Sequence, residues 1–380
     1  MKIKQITIED PRSIGSALDP LVSIAPNLLL AFAAPDFFSA HGLASELRRR
    51  FPDVAVVGCS TAGEISMRGV DDGKAVVTAI RLERARLVSG TTDLLDMADS
   101  RAAGQRLAKS IHAADLRLVL VFCQGVDING AALVEGMSDV LGASIPITGG
   151  LAGDSGAFEK TWTLGPSGVS DRALVALGLA GDGIEIGHGS FGGWESFGPA
   201  RKVTRCADNI LKELDGEPAL GVYKRYLGDY ADQLPASGLL FPFAMLSDDL
   251  GASGVIRSIL GINEEQGSLT LAGNIEEGGY LKLMHASTDA LVDGAENAAR
   301  AAAAMTQGHG AGLAILVSCV GRKLVMGDRT DEELEAVVSV LGRDTVRAGF
   351  YSNGEISPLA PGGQSRLHNQ TMTITTIIEH

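Results

Sequence analysis

A nine-residue pattern, G-x-x-x-x-G-E-I-S, occurs twice in this chain, at Gly58–Ser66 and at Gly349–Ser357. Each copy closes the same series of steps. Before the first come an apolar run at Leu28–Ala33, a helix-like stretch from Phe38 to Phe51 and a second apolar run at Val54–Val57. Before the second come Leu313–Cys319, an acidic-starting helix at Asp331–Leu341 and the less apolar Thr345–Ala348. Continuous apolar runs of this length suit strands covered on both faces. Chance similarity between glycine-rich turns is the alternative, and the matching context argues against it. The pattern predicts two related halves about a pseudo-two-fold axis, with their turns gathered near a shared cleft. A weaker echo links Gly150–Asp154 with Thr270–Asn274.

The same rhythm returns at Leu116–Phe122, Gly130–Leu141 and Ile145–Thr148. Strand–helix–strand units of this size predict an α/β (α+β) fold with mixed sheets. The texture changes near 215–235, where the turn residues Asp215-Gly216-Glu217-Pro218 precede a compact helix at Ala219–Leu227. This places a boundary between an N-terminal domain, 25–217, and a C-terminal domain, 218–375. The 48 glycines show no three-residue period, which fits many short elements joined by tight turns.

The net charge of −14 argues against nucleic acid or anionic lipid as a partner. No apolar run approaches the roughly 20 residues a membrane-spanning helix needs. The opening residues, MKIKQITIED, lack the apolar core of a secretory signal. The four cysteines are far apart and fit neither a zinc ribbon nor a disulfide framework. A cytoplasmic protein without membrane insertion is expected.

Three groups of residues invite chemistry. Gly58-Cys59-Ser60-Thr61-Ala62-Gly63 approaches a hydrolase nucleophile elbow, but its second glycine is one position late and turn residues follow where a helix is needed. Glu64 and Glu355 are candidate paired acids, although turn carboxylates more often bond to backbone N–H groups. Gly187-His188-Gly189-Ser190-Phe191-Gly192-Gly193-Trp194 reads in two ways. It is a locally bonded histidine in a glycine-rich loop, or a haem ligand whose small neighbours admit a planar group, with Phe191 and Trp194 packing on it.

The segments Val57–Ile65, Gly349–Ile356 and Leu367–Thr371 resemble the FIST family of bacterial signal-sensing proteins, over roughly residues 25–375. The resemblance implies an N-terminal and a C-terminal FIST domain and a small ligand, with amino acids one proposal. Gly192-Gly193-Trp194, Phe197-Gly198-Pro199, Arg201–Thr204, Leu214–Gly216 and Tyr223–Gly228 are similar to the haem-binding, nitric-oxide-sensing branch, NosP. That branch implies haem b, nitric oxide as input, and a histidine kinase or cyclic-di-GMP enzyme as partner. His188 is inferred as the iron ligand from its place beside these residues, with Phe191 and Trp194 as cofactor contacts and His285 and His368 in reserve. The expectation is a sensor without catalysis of its own, with a homo-oligomer allowed. The alternatives are a haem-free receptor for an amino-acid-like ligand and a hydrolase using the Cys59-Ser60-Thr61 turn.

Overall fold

A computed structural model describes residues 1–39, 42–247, 250–306 and 312–380. One unit of secondary structure recurs three times. The first comprises β1 (Lys2–Ile8), α1 (Ile14–Ala17), β2 (Leu28–Ala33), α2 (Pro35–Ser39), α3 (Leu43–Arg50), β3 (Ala55–Ser60), the hairpin β4 (Glu64–Ser66) and β5 (Gly69–Asp71), and β6 (Ala75–Arg81). The second comprises β7 (Arg86–Asp93), α4 (Ser100–Ser110), β8 (Leu116–Cys123), α5 (Gly130–Leu141), β9 (Ile147–Leu151), the hairpin β10 (Thr163–Gly165) and β11 (Gly168–Ser170), and β12 (Ala173–Ala180).

The third unit starts with β13 (Ile184–Phe191) and is then interrupted by a lobe. The lobe holds β14 (Glu195–Ala207), β15 (Ile210–Leu214), β16 (Glu217–Pro218), α6 (Ala219–Leu227), β17 (Phe243–Leu246), β18 (Ala252–Arg257), β19 (Ile259–Asn263), β20 (Ser268–Leu271) and β21 (Tyr280–His285). The unit resumes with α7 (Thr288–Met305), β22 (Leu313–Cys319), α8 (Val320–Met326), α9 (Thr330–Leu341), β23 (Val346–Ser352), the hairpin β24 (Gly354–Pro358) and β25 (Ser365–His368), and β26 (Met372–Glu379).

Each unit builds one sheet in the same order: its first strand, its last, then its parallel pair. The sheets run β1-β6-β2-β3-β10-β11, β7-β12-β8-β9-β24-β25 and β13-β26-β22-β23-β4-β5. The final hairpin of each sheet therefore comes from another unit. The first unit's hairpin pairs with β23, the third unit's with β9 and the second unit's with β3.

The register shows why glycine recurs at the repeat. Gly58 pairs with Ala31, Gly149 with Val121 and Gly349 with Leu316 across the three parallel pairs. A Cβ at these glycines would lie 1.8, 2.1 and 1.9 Å from the carbonyl oxygens of Ala31, Val121 and Leu316. Gly58–Ser66 and Gly349–Ser357 thus hold equivalent places, as expected, and the topology adds a third copy that the sequence hides. In that copy Thr163-Leu164-Gly165 stands where the others have Glu-Ile-Ser, after a longer connection from Gly153. The relation between repeats is threefold in topology, where the sequence suggested a pair. The echo at Thr270–Asn274 belongs to the lobe and matches none of the three turns.

The inner faces of the three sheets share one core. Leu28, Leu30 and Phe32 of β2 meet Leu118, Leu120 and Phe122 of β8 and Leu313, Ile315 and Val317 of β22. Phe32 packs 4.8 Å from Phe350 and 5.4 Å from Phe122, centroid to centroid. Helices cover the outer faces, α2 and α3 on the first sheet, α4 and α5 on the second, α7 and α9 on the third.

The lobe has its own sheet, β18-β17-β21-β14-β15-β20-β19, and its own core around Tyr223, Phe243 and Leu269. It leaves and returns at one point, because Glu195 pairs with His285. The division expected at 217/218 falls inside this lobe: β14 and β15 before it share a sheet with strands after it. Turn chemistry at Asp215–Pro218 marks the bend between β15 and β16 of the lobe's sheet.

Candidate functional site

His188 lies within β13, opposite Thr375 of β26, and not in a loop. Strand alternation sends Ile184, Ile186 and His188 toward the central core and Gly187 and Gly189 toward α7. A Cβ on either glycine would sit 2.1 Å from a helix carbonyl, that of Ala302 or Ala298. These glycines make room for a helix, not for a planar ligand. Phe191 falls on the face opposite His188 and is 43% exposed. Trp194 donates its indole N–H to Gln370 O at 2.8 Å and packs with Ile256, Met284 and Leu291. The three residues expected to surround a haem are therefore not brought together. His188 is buried and burial lowers its pKa, keeping the imidazole neutral. It lines none of the cavities described below.

The reserve histidines are placed differently. His285 is exposed against the ring of Phe197, at 5.4 Å between centroids. His368 is fully buried, its Nε2 bonded to Ser357 O at 2.8 Å, and burial depresses its pKa to about 4. His41 and His309 lie outside the described residues. Among the described residues, no group of three or more His, Cys, Asp or Glu side chains could hold a metal ion.

Ser60 ends β3 fully buried, donates its hydroxyl to Gly153 O at 2.7 Å and accepts the Trp162 N–H at 2.8 Å. Cys59 is buried and its thiol is pushed well up by desolvation. The chain then enters β4, a strand where a nucleophile elbow needs a helix. Glu64 and Glu355 sit in different sheets. Each accepts a hydroxyl three residues earlier, from Thr61 and Ser352, and a backbone N–H, from Lys74 and Thr371. Burial raises both to about 7.

A different place has the shape of a ligand site. A cavity of about 220 Å³ lies between the end of the second unit's parallel pair and the lobe. Its floor is the chain from Gly125 to Gly130, at the start of α5, with Leu151 and Leu367. Its roof is Leu260 and Thr270–Gly273 of the lobe. Asn129 caps α5 by accepting the Ala132 N–H at 3.1 Å, and reaches the lobe through Nδ2, which donates to Asn274 Oδ1 at 2.8 Å. The N–H groups of Gly130 and Ala131 at the helix start have no described partner.

Asn353 completes the wall. It is 8% exposed and donates Nδ2 to Gly125 O at 3.3 Å, while its Oδ1 is buried without a hydrogen-bond partner. Buried polar groups are normally satisfied, so this acceptor is an exception in the packing beside the cavity. Four residues beyond each register glycine, the repeats carry Ala62, Gly153 and Asn353, so the amide is peculiar to this site. The corresponding place in the third unit is filled. There a Cβ on Gly321 would meet the Gln370 amide at 2.4 Å, and Lys323 Nζ donates to Ala62 O. The repeat thus leaves an open site under the lobe. In the sequence the only mark of Asn353 is that it stands where the first copy of the pattern has Ala62.

Residues 27–217 match the FIST N domain and residues 219–358 the FIST C domain. The chain belongs to the FIST family, whose domains are small-ligand sensors of signalling systems. An uncharacterized protein of Methanocaldococcus jannaschii is 25% identical over 249 residues, covering 60% of this chain and 46% of that protein. The chain thus spans about half the length of that relative. A cyanuric acid hydrolase from A. caulinodans overlays with a TM-score of 0.39 and 11% identity, covering 100% of this chain and 98% of that one. A second cyanuric acid hydrolase, described as an evolutionary innovation by structural concatenation, gives 0.34 and 14%, covering 100% and 99%. Overlays this loose carry no argument about chemistry.

Proposed function

We propose that this FIST protein binds its signal in the cavity between the α5 start and the lobe, and passes occupancy to a partner through the seating of the lobe. The observation that carries this reading is the cavity itself, walled by Gly125–Gly130 at the start of α5 on one side and by Leu260 and Thr270–Gly273 of the lobe on the other. A ligand touching both walls favours the arrangement in which they are close, and such differential contact is what a sensor requires. The test is a thermal-shift and calorimetric screen of small metabolites on the full chain. Leu260→Trp, at the exposed mouth, is expected to abolish a hit, and Asn353→Ala to weaken it about tenfold. A hit that survives Leu260→Trp places the ligand elsewhere.

The second reading is a haem-based nitric oxide sensor with His188 as iron ligand and a histidine kinase or cyclic-di-GMP enzyme as output. It is favoured by a buried, neutral imidazole whose ring makes no described hydrogen bond. It requires β13 to part from its packing, since Phe191 and Trp194 lie apart from His188. A Soret band in protein made with haem supply, shifted by nitric oxide and lost in His188→Ala, supports it. Haem-free protein from such a preparation removes it.

A further inference from the structure

Two surface grooves lie outside the cavity just described. The one between the β4–β5 hairpin and α9 sets Arg68, Arg343 and Arg347 against Asp331 and Glu335, so its charges nearly offset. The other, of about 530 Å³, lies along the segment that joins β7 to α4. It meets the cavity, with Met97, Val126 and Asp127 lining both.

The joining segment, Asp93–Asp99, reads D-L-L-D-M-A-D. Leu94 turns into the core of the second unit, while Leu95 and Met97 are left 66% and 41% exposed. Their backbone is held in place. Asp96 Oδ1 accepts the Asp99 N–H at 2.9 Å, and Asp99 Oδ2 accepts the Leu95 N–H at 3.1 Å and pairs with Arg106 at 2.6 Å. Arg172 donates to Leu95 O at 2.9 Å. Leu260 of the lobe, also exposed, lines the adjoining cavity with Met97. Apolar side chains scattered singly over a surface need no explanation, whereas a fixed group of them beside a groove marks an interaction site.

The charge of this groove is one-sided. Lys160 pairs with Asp171 at 2.7 Å, which leaves Asp96, Asp127 and Glu159 against Arg172 alone. Two buried side chains of the lining also keep donors free. Gln124 is 6% exposed and accepts the Val126 N–H through Oε1 at 2.9 Å. Its Nε2 has no described acceptor and, unlike Asn353 Oδ1, is not sealed from the surface. Thr161 accepts the Gly125 N–H at 2.7 Å, and its own hydroxyl proton has no described acceptor. Buried donors of this kind suit the carbonyls of a docked backbone.

We infer that the groove docks a basic, apolar segment of a partner protein in extended form. Its apolar side chains cover Leu95 and Met97, its Lys or Arg side chains meet Asp96, Asp127 and Glu159, and a backbone carbonyl takes the Gln124 amide N–H. Main-chain bonds combined with contacts to alternate side chains are a recurring way of holding extended segments. Complementary charge speeds the encounter and excludes wrong partners. The docked segment lies against the Met97 wall of the cavity, which puts the partner beside the signal. Docking does not require the cavity to hold a ligand, so either reading can fail alone.

The test titrates the full chain, with no metabolite added, against a fluorescein-labelled hexapeptide of alternating Leu and Lys, read by anisotropy at low and moderate salt. Two companion peptides replace Lys by Glu or Leu by Ser. The Leu–Lys peptide is expected to bind at least tenfold tighter than either, and more weakly as salt rises. Leu95→Ser and Glu159→Lys are each expected to weaken it at least fivefold. Both side chains are exposed, and unchanged thermal midpoints show that the variants fold. Glu335→Lys, the same change of charge on α9, is expected to weaken it less than twofold. Absence of binding by the Leu–Lys peptide, or full binding by Leu95→Ser, overturns the inference. So does an equal loss in Glu159→Lys and Glu335→Lys, which reduces the effect to attraction by the net charge of the chain. Equal binding of the Ser–Lys peptide overturns it too, leaving a groove for small cations. A metabolite found in the cavity stands under any of these results.

Discussion

Glu64 and Glu355 occupy matching places in two different sheets, and each is held by a hydroxyl three residues before it. The sequence pattern that joins them is therefore a hydrogen-bonding device. Both carboxyls are buried and raised to about 7 by desolvation.

Their ionisation sets a pH dependence. In the unfolded chain a glutamate titrates near 4.3, so between about 4.3 and 7 the folded state binds more protons and stability falls as pH rises. Each group contributes on the order of 3 kcal/mol below that window, lost above it. His368, depressed to about 4, runs the other way, losing stability as pH falls below about 6.5. Single variants isolate the acids. Glu64→Gln and Glu355→Gln keep the N–H acceptor and offer a donor to the hydroxyl. Each is expected to flatten the fall in urea midpoint between pH 5 and pH 7.5. An unchanged slope in both would falsify the assignment.

The register glycines predict a sharp contrast. Gly349→Ala puts a Cβ into the Leu316 carbonyl, and is expected to cost about 4 kcal/mol or more, or to prevent folding. Gly342→Ala meets a positive φ of +84° instead, with open space around it. It is expected to cost about 1 kcal/mol, from backbone strain alone. Comparable losses in the two variants, measured by chemical unfolding, would remove the parallel-strand contact as the cause.

Gly189→Ala tests what the glycines beside His188 are for. If they seat α7, the substitution destabilises haem-free protein by about 2–4 kcal/mol through overpacking against Ala298. If they serve only a cofactor, the haem-free protein keeps its stability and loses affinity for haem.

The buried pair Arg322–Glu333 makes a further prediction. Both side chains are fully buried and 2.8 Å apart, and Glu333 also accepts the Tyr351 hydroxyl at 2.6 Å. Glu333→Gln leaves the guanidinium without its counter-charge and is expected to cost about 3–5 kcal/mol. Tyr351→Phe removes one hydrogen bond to a charged group and is expected to cost about 1.5–3 kcal/mol. Denaturation midpoints for the two, differing in that order, check the prediction.

Much of the fold was legible because apolar runs and helix periodicity are local signals. The strand Leu28–Ala33, the helix Gly130–Leu141 and the strand Leu313–Cys319 stand where their sequences place them. What escaped was non-local. The third repeat is hidden because a register glycine constrains a single position, while Thr163-Leu164-Gly165 satisfies the same pairing as Glu-Ile-Ser. In sequence the glycines on both sides of His188 look like a turn, although the residue lies within β13. Those glycines are small because α7 lies on them, and a helix more than a hundred residues away leaves no mark beside His188. Asn353 and Leu260 come from distant elements, and the cavity they share exists only once the lobe has folded back.

The exchange of hairpins has a consequence for how such a chain can be cut or can arise. Each unit finishes the sheet of another, and the circuit closes only when all three are present. A fragment ending after β12 leaves β4 and β5 with no β23 to join, and leaves β9 with an uncovered edge. Such an edge is an invitation to pair with a second chain. Separate fragments are therefore better suited to find each other than to stand alone. A forebear with a single unit would have closed the same circuit as a trimer.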